Sequence, residues 1–168
     1  MALVTEDGSG KSDAESYISV ADATTYFFVR GNTTWAAIAS DALREAYLRN
    51  ATEYMLQMYR ARWDGVRYTE DQALDWPRAG VVRDSWQVDT DEVPVEVQRA
   101  CAELALKASS GELAPDLTRK VIREKIDVIE TEYDRYSPEY TRYRSIDAML
   151  KPYLGMTNNG ICIPLVRV

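Results

Sequence analysis

The sequence predicts a mainly α protein: a compact helical bundle of about four to five helices with a small β-ribbon and extended N- and C-terminal arms. Three observations carry this expectation. Apolar residues recur at spacings of three and four around 19–30, 40–60 and 91–111. After Gly111 the period drops toward two, over 121–133. The ends fit neither pattern, the first eighteen residues being polar and the stretch from Gly155 onward apolar. A length of 168 residues suits one domain that buries roughly two-thirds of its unfolded surface. The expected division is a body at 1–154, with its ribbon at 121–133, and a C-terminal docking arm at 155–168.

Ala2–Thr5 reads as a short strand or arm, followed by a mobile loop. That loop contains GSGKS and resembles a phosphate loop, but the motif needs a glycine five positions before Gly10, where this chain has Thr5. No nucleotide site is expected. Ser19 and Asp22 have the spacing of a capping box at the start of a helix that Gly31 stops. Asn32 to Ala39 is a connection in which Trp35 plugs the edge of the core. Ser40 caps a longer helix to about Arg60, with Leu43, Ala46, Tyr47, Ala51, Tyr54, Met55 and Met58 on its inner face.

Thr69 is read as the cap of a short helix over EDQAL, and Pro77 forces Trp76 into extended backbone. Trp76 then packs inward while Arg78 points out. Val81 to Val88 is a loop or a short strand pair that includes Trp86. The best-specified helix is next, expected from Asp91 to Gly111 with Asp91 as cap and Pro94 in its first turn. Val97, Ala100, Cys101, Leu104, Ala105 and Ala108 share one face of it. Trp76, Pro77, Asp91 and Pro94 are the expected structural anchors. Ser145 caps a last short helix burying Ile146, Met149, Leu150 and Tyr153, near whose end lies Pro152.

The chain contains no histidine, which removes imidazole bases, His-activated nucleophiles and His metal sites. Two isolated cysteines do not make a zinc site. Cys101 reads as a core thiol, with a Cys101–Cys162 bridge as the alternative. Asp89, Asp91 and Glu92 cluster where capping explains carboxylates without catalysis. The expectation is no enzymatic activity, no cofactor and no metal. No apolar run spans a membrane, and the opening residues have neither the basic start nor the apolar stretch of a cleaved signal.

Residues 1–111 carry 11 Lys+Arg against 18 Asp+Glu, whereas 112–168 carry 9 of each. An acidic body lacks the basic stripe that supplies nucleic-acid affinity. The segment with Tyr133, Tyr136, Tyr140, Arg142 and Tyr143 has residue types that stack on bases, and equally the types that enrich protein interfaces. Its interleaved acids favour the interface. The apolar tail, with Ile161, Ile163, Leu165 and Val166, is expected to be covered by a partner subunit.

Over residues 1 to about 154 the chain resembles a family of tailed-phage proteins. The marks are MALVTEDGSG, ESYISVADATTYFFVRG, QALDWPRAGV, DEVPVEVQRACAELAL and the REKI and IETEY strands of the ribbon. Proteins like this resemble head–tail connectors, or adaptors, and many carry the label DnaT-like single-stranded-DNA-binding protein. The connector resemblance implies a ring of about twelve copies beneath the portal, at the neck of the virion and assembled in the host cytoplasm. It also implies contacts with the portal protein and a tail stopper, and double-stranded DNA passing through the lumen without specific binding. The label implies instead a primosome-like replication protein.

Overall fold

The computed structural model describes residues 2–115, 121–125, 130–133 and 141–155, with side chains in the first and last of these stretches. Five α-helices and three two-stranded antiparallel pairs are found among these residues, so the chain is mainly helical with small β-ribbons. Helix α1 (Val20–Val29) starts at Ser19, whose Oγ accepts from the Asp22 N–H at 3.1 Å and donates to its carboxylate at 2.6 Å. The connection that follows holds one turn, α2 (Thr33–Ala36), capped by Asn32. That turn seats Trp35 in the core with its indole N–H on Thr24 Oγ1 at 3.0 Å.

Helix α3 (Asp41–Tyr59) is capped by Ser40. Arg44 in its first turn donates to the carbonyls of Trp35, Ala36 and Ile38, which fixes α2 to it. The inner face is in part the expected one, with Ala51, Tyr54 and Met55 buried and Tyr47 and Met58 packed against the core. Leu48, Ala51, Thr52, Tyr54, Met55 and Tyr59 are buried, while Leu43 is exposed.

The expected helix over EDQAL is absent. Gln72 takes over its role: its Oε1 accepts from the Thr69 N–H at 2.8 Å, and its Nε2 donates to the Leu74 and Pro77 carbonyls. Strands β1 (Val66–Arg67) and β2 (Arg78–Ala79) pair across this loop. The Trp76–Pro77 peptide is cis, and Trp76 is fully buried with its ring 5.6 Å from those of Trp63 and Tyr153. Arg78 does not point out. It is buried and donates to the Asp64 and Gly65 carbonyls at 2.7 Å and to Asp75 O at 3.2 Å. Strands β3 (Val82–Arg83) and β4 (Trp86–Gln87) then form a hairpin turned by Asp84 and Ser85, both at positive φ.

Helix α4 spans Val95–Ala108, about 21 Å, shorter at both ends than the expected Asp91 to Gly111. Asp91 does not cap it. The N-cap position belongs to Pro94, whose carbonyl takes the Val97 and Gln98 N–H groups. The expected apolar face is present, with Val97, Ala100, Cys101, Leu104 and Ala105 buried against α3. Cys101 is a free thiol in that core, 3.4 Å from Thr52 Oγ1, and burial pushes its pKa up. Strands β5 (Val121–Lys125) and β6 (Glu130–Tyr133) pair antiparallel, as the ribbon expected over 121–133, with a register irregularity at Val121/Arg123.

Helix α5 (Arg144–Leu150) packs on α4 and runs into a 3-10 turn, Lys151–Tyr153, that accommodates Pro152. Tyr143, not Ser145, occupies its N-cap position. Ile146, Leu150 and Tyr153 are buried, and each apolar side chain so removed from water contributes about 2 kcal/mol.

The N-terminal residues are extended but do not form a mobile loop. Glu6 is buried, and its carboxylate accepts the N–H groups of Gly8, Gly10 and Lys11 at 2.8–2.9 Å. The glycine-rich loop is thus wrapped around a carboxylate of its own chain. Gly8, at φ +102°, lies so close to the Asp91 carbonyl that a Cβ there would be 1.8 Å from its oxygen. This contact carries residues 91–94 past the position where a cap at Asp91 would start the helix.

Candidate interaction surface

Three surfaces bring chemistry-bearing side chains together. The first lies where 141–143 crosses α3. Tyr54 donates to the Thr141 carbonyl at 3.3 Å, and Tyr143 donates to Leu113 O at 3.0 Å while its ring meets Tyr54 edge-on at 5.6 Å. Tyr59 donates to Asp147 at 2.8 Å, with the Arg62 guanidinium 3.7 Å from the same carboxylate. Burial, then the Asp147 contact, pushes the Tyr59 pKa up, and burial does the same at Tyr143. The cavity beside them, about 210 Å³, also admits Arg142.

The second surface is a groove of about 300 Å³ between the β3–β4 hairpin and the first turn of α4. Glu96 is bridged at its two oxygens by Arg83 and Tyr153, each at 2.7 Å. Burial opposes ionisation of Glu96, and the bonds from Tyr153 and Arg83 outweigh it, holding the carboxyl below its usual range. Burial and Glu96 together push Tyr153 up to about 12. Trp86 stands at the rim, 79 % exposed.

The third is a shallower groove of about 330 Å³ between α1 and α4, lined by Ile18, Tyr26, Val29, Val95 and Arg99 among others. Val95 lines both of the last two grooves. At the end of α1 Phe28 and Val29 are 82 % and 75 % exposed.

Most of the positive charge on this body is already engaged. Lys11, Arg44, Arg49, Arg60, Arg62 and Arg83 pair with carboxylates. Arg78 and Arg67 are turned onto backbone carbonyls. Arg30 lies over the Tyr26 ring at 3.7 Å, and Lys107 over Tyr143 at 5.3 Å. Among the described residues no group of three or more His, Cys, Asp or Glu side chains is placed to hold a metal ion, and no helix is long and apolar enough to cross a membrane.

Of the residues expected to make contacts, Arg142 is exposed at the first cavity, and Tyr143 is half-buried with its hydroxyl spent on Leu113. Tyr133 ends β6. Tyr136, Tyr140, Ile161, Ile163, Leu165 and Val166 lie outside the described residues, as does the rest of the proposed arm beyond Gly155. Trp76 and Pro77 are buried anchors, and Pro94 is one at the helix start. Asp91 acts through its backbone against Gly8. The sequence reading missed Phe28, Val29 and Trp86 as surface groups. The helix rotation and the hairpin register place them outside.

Residues 1–168 match the family described as "Putative DnaT-like ssDNA binding protein". The chain belongs to this family. No curated protein and no solved structure matches it. The family's description names single-stranded DNA as a ligand, whereas the likeness to head–tail connectors rests on the sequence motifs alone.

Proposed function

We propose that this family member is a non-enzymatic structural subunit, a head–tail connector that assembles as a ring between portal and tail and lets double-stranded DNA slide through. The observation that supports this most directly is electrostatic. The body is acidic, and its described cations are largely tied to carboxylates, carbonyls or rings, so it offers phosphate little to hold. A lumen of this character repels DNA and keeps it from sticking. The portal protein, further copies of this chain and a tail stopper are the partners of this reading, and the virion neck is its location.

The family's description favours a second reading, a single-stranded-DNA-binding replication protein. In that reading the Tyr- and Arg-containing stretch at 133–144 supplies the contacts. Tyr143, whose side chain is described, weighs against a stacking role, because it is half-buried with its hydroxyl fastened to Leu113.

One pair of measurements separates the two. The purified chain is mixed with portal protein and followed by sedimentation, and is titrated into labelled single-stranded oligonucleotide at physiological salt. The connector reading expects a portal complex and oligonucleotide binding no tighter than micromolar. Sub-micromolar oligonucleotide binding that weakens steeply with salt, with no portal complex, establishes the second reading instead.

A further inference from the structure

We infer that the groove between the β3–β4 hairpin and the start of α4 is a docking site for an extended, arginine- or lysine-bearing segment of a partner protein. The inference goes beyond the connector reading and stands whether or not that reading holds. Arg83 and Trp86 are cross-strand partners in the hairpin, so both side chains leave from the same face of it. Arg83 is drawn down onto Glu96 and the Tyr153 hydroxyl and forms the floor. Trp86 is left at the rim, the exposed one of the chain's four tryptophans, since Trp35, Trp63 and Trp76 are buried. Tryptophan on a surface is enriched where partners bind.

Charge decides what kind of partner fits. The charged residues of the groove are one cation, Arg83, against four carboxylates, Asp84, Asp89, Glu92 and Glu96. Arg83 is already spent on Glu96, with the Asp84 carboxylate 3.8 Å from its Nε. Asp89 and Glu92 are exposed, and their side chains take no hydrogen bond or ion pair from any described residue. The groove thus presents an indole beside uncompensated carboxylates. A guanidinium or ammonium answers both, since it is drawn to the ring and pairs with the acids. A phosphate backbone meets repulsion at the same place. The volume, about 300 Å³, is at the low end of the range for pockets that take a small organic molecule, so it fits one or two side chains of an extended segment rather than a whole protein face.

The test titrates the full chain into a dye-labelled peptide, Gly-Arg-Leu-Arg-Gly, and into a counterpart with glutamate for arginine, followed by anisotropy at physiological salt. The arginine peptide is expected to bind with Kd below about 1 mM, at least about tenfold tighter than the glutamate peptide, and to weaken as salt rises. Unlabelled arginine peptide at saturation is expected to shield the tryptophan fluorescence that acrylamide quenches, which comes from Trp86 and not from the three buried rings. Trp86→Ala and, separately, Asp89→Asn with Glu92→Gln are each expected to weaken binding about fivefold or more. Glu70→Gln with Asp71→Asn removes the same charge at exposed positions outside the groove and is expected to change binding by less than about twofold. All five positions are exposed, and thermal melts establish that the variants fold. Equal weakening by the two charge pairs reduces the binding to long-range attraction by an acidic chain and overturns the inference. So does an arginine peptide that binds no tighter than its counterpart, or a Trp86 signal that saturating peptide leaves fully quenchable. Displacement of the peptide by a single-stranded oligonucleotide that itself shields Trp86 assigns the groove to nucleic acid and also overturns it. Formation of a portal complex is read separately, so the connector reading stands or falls on its own.

Discussion

Asp75 is 1 % exposed, with one oxygen accepting the Trp63 indole N–H at 3.2 Å and the other 3.6 Å from Arg60 without a hydrogen bond. Burial raises its pKa despite Arg60. The folded chain therefore holds this proton more tightly than the unfolded chain. The stability that it adds is complete at pH below the ordinary carboxyl value and is lost as pH rises through the folded one. Asp75→Asn has no such loss. The wild type's advantage over it in melting temperature is expected to shrink between about pH 4 and pH 7, and an advantage that grows over that range shows Arg60 winning over burial. The inward packing of Trp76 was legible in the sequence, because proline's constraint on its neighbour is local. The sequence did not reveal the burial of Asp75 and Arg78, whose partners lie on Trp63, Asp64 and Gly65 across a loop.

Helix starts were legible where the cap lies within three residues of the group that it serves, as at Ser19 and Ser40. They were misread where tertiary contact decides. Asp91 has the right chemistry for a cap, but its backbone is packed on Gly8, and the helix begins at Val95. The helix expected at EDQAL is replaced by a loop because the Gln72 amide and Arg67 satisfy its backbone groups. That loop and its β1–β2 pair are held from inside by Arg78. Removing its guanidinium in Arg78→Ala strands three carbonyls and is expected to cost about 3 kcal/mol by denaturant midpoint. Arg78→Lys is expected to recover only part of this, since one ammonium does not reproduce the planar fork. A loss under about 1 kcal/mol refutes this account.

At the scale of the molecule, the class and most of the element order followed from periodicity, and the surface did not. A helix's apolar face tells which residues seek cover, and it does not say whether the cover comes from the same chain. The described body closes at its C-terminal end through Leu154, which bridges to Trp63, and Gly155, which donates to Arg62 O at 2.8 Å. Deletion of 156–168 is therefore expected to shift the melting temperature by no more than about 2 °C while impairing assembly. Loss of folding instead makes the tail part of the core.

The loop wound around Glu6 also sets an order of events. Its partners are residues far along the chain, Thr69 and Gln72 beside Gly10 and Asp91 against Gly8. During synthesis this loop must wait for some eighty further residues before its seat exists. Helices α1 and α3, whose caps are local, have no such delay. The glycine-rich loop, made before them, is seated after them.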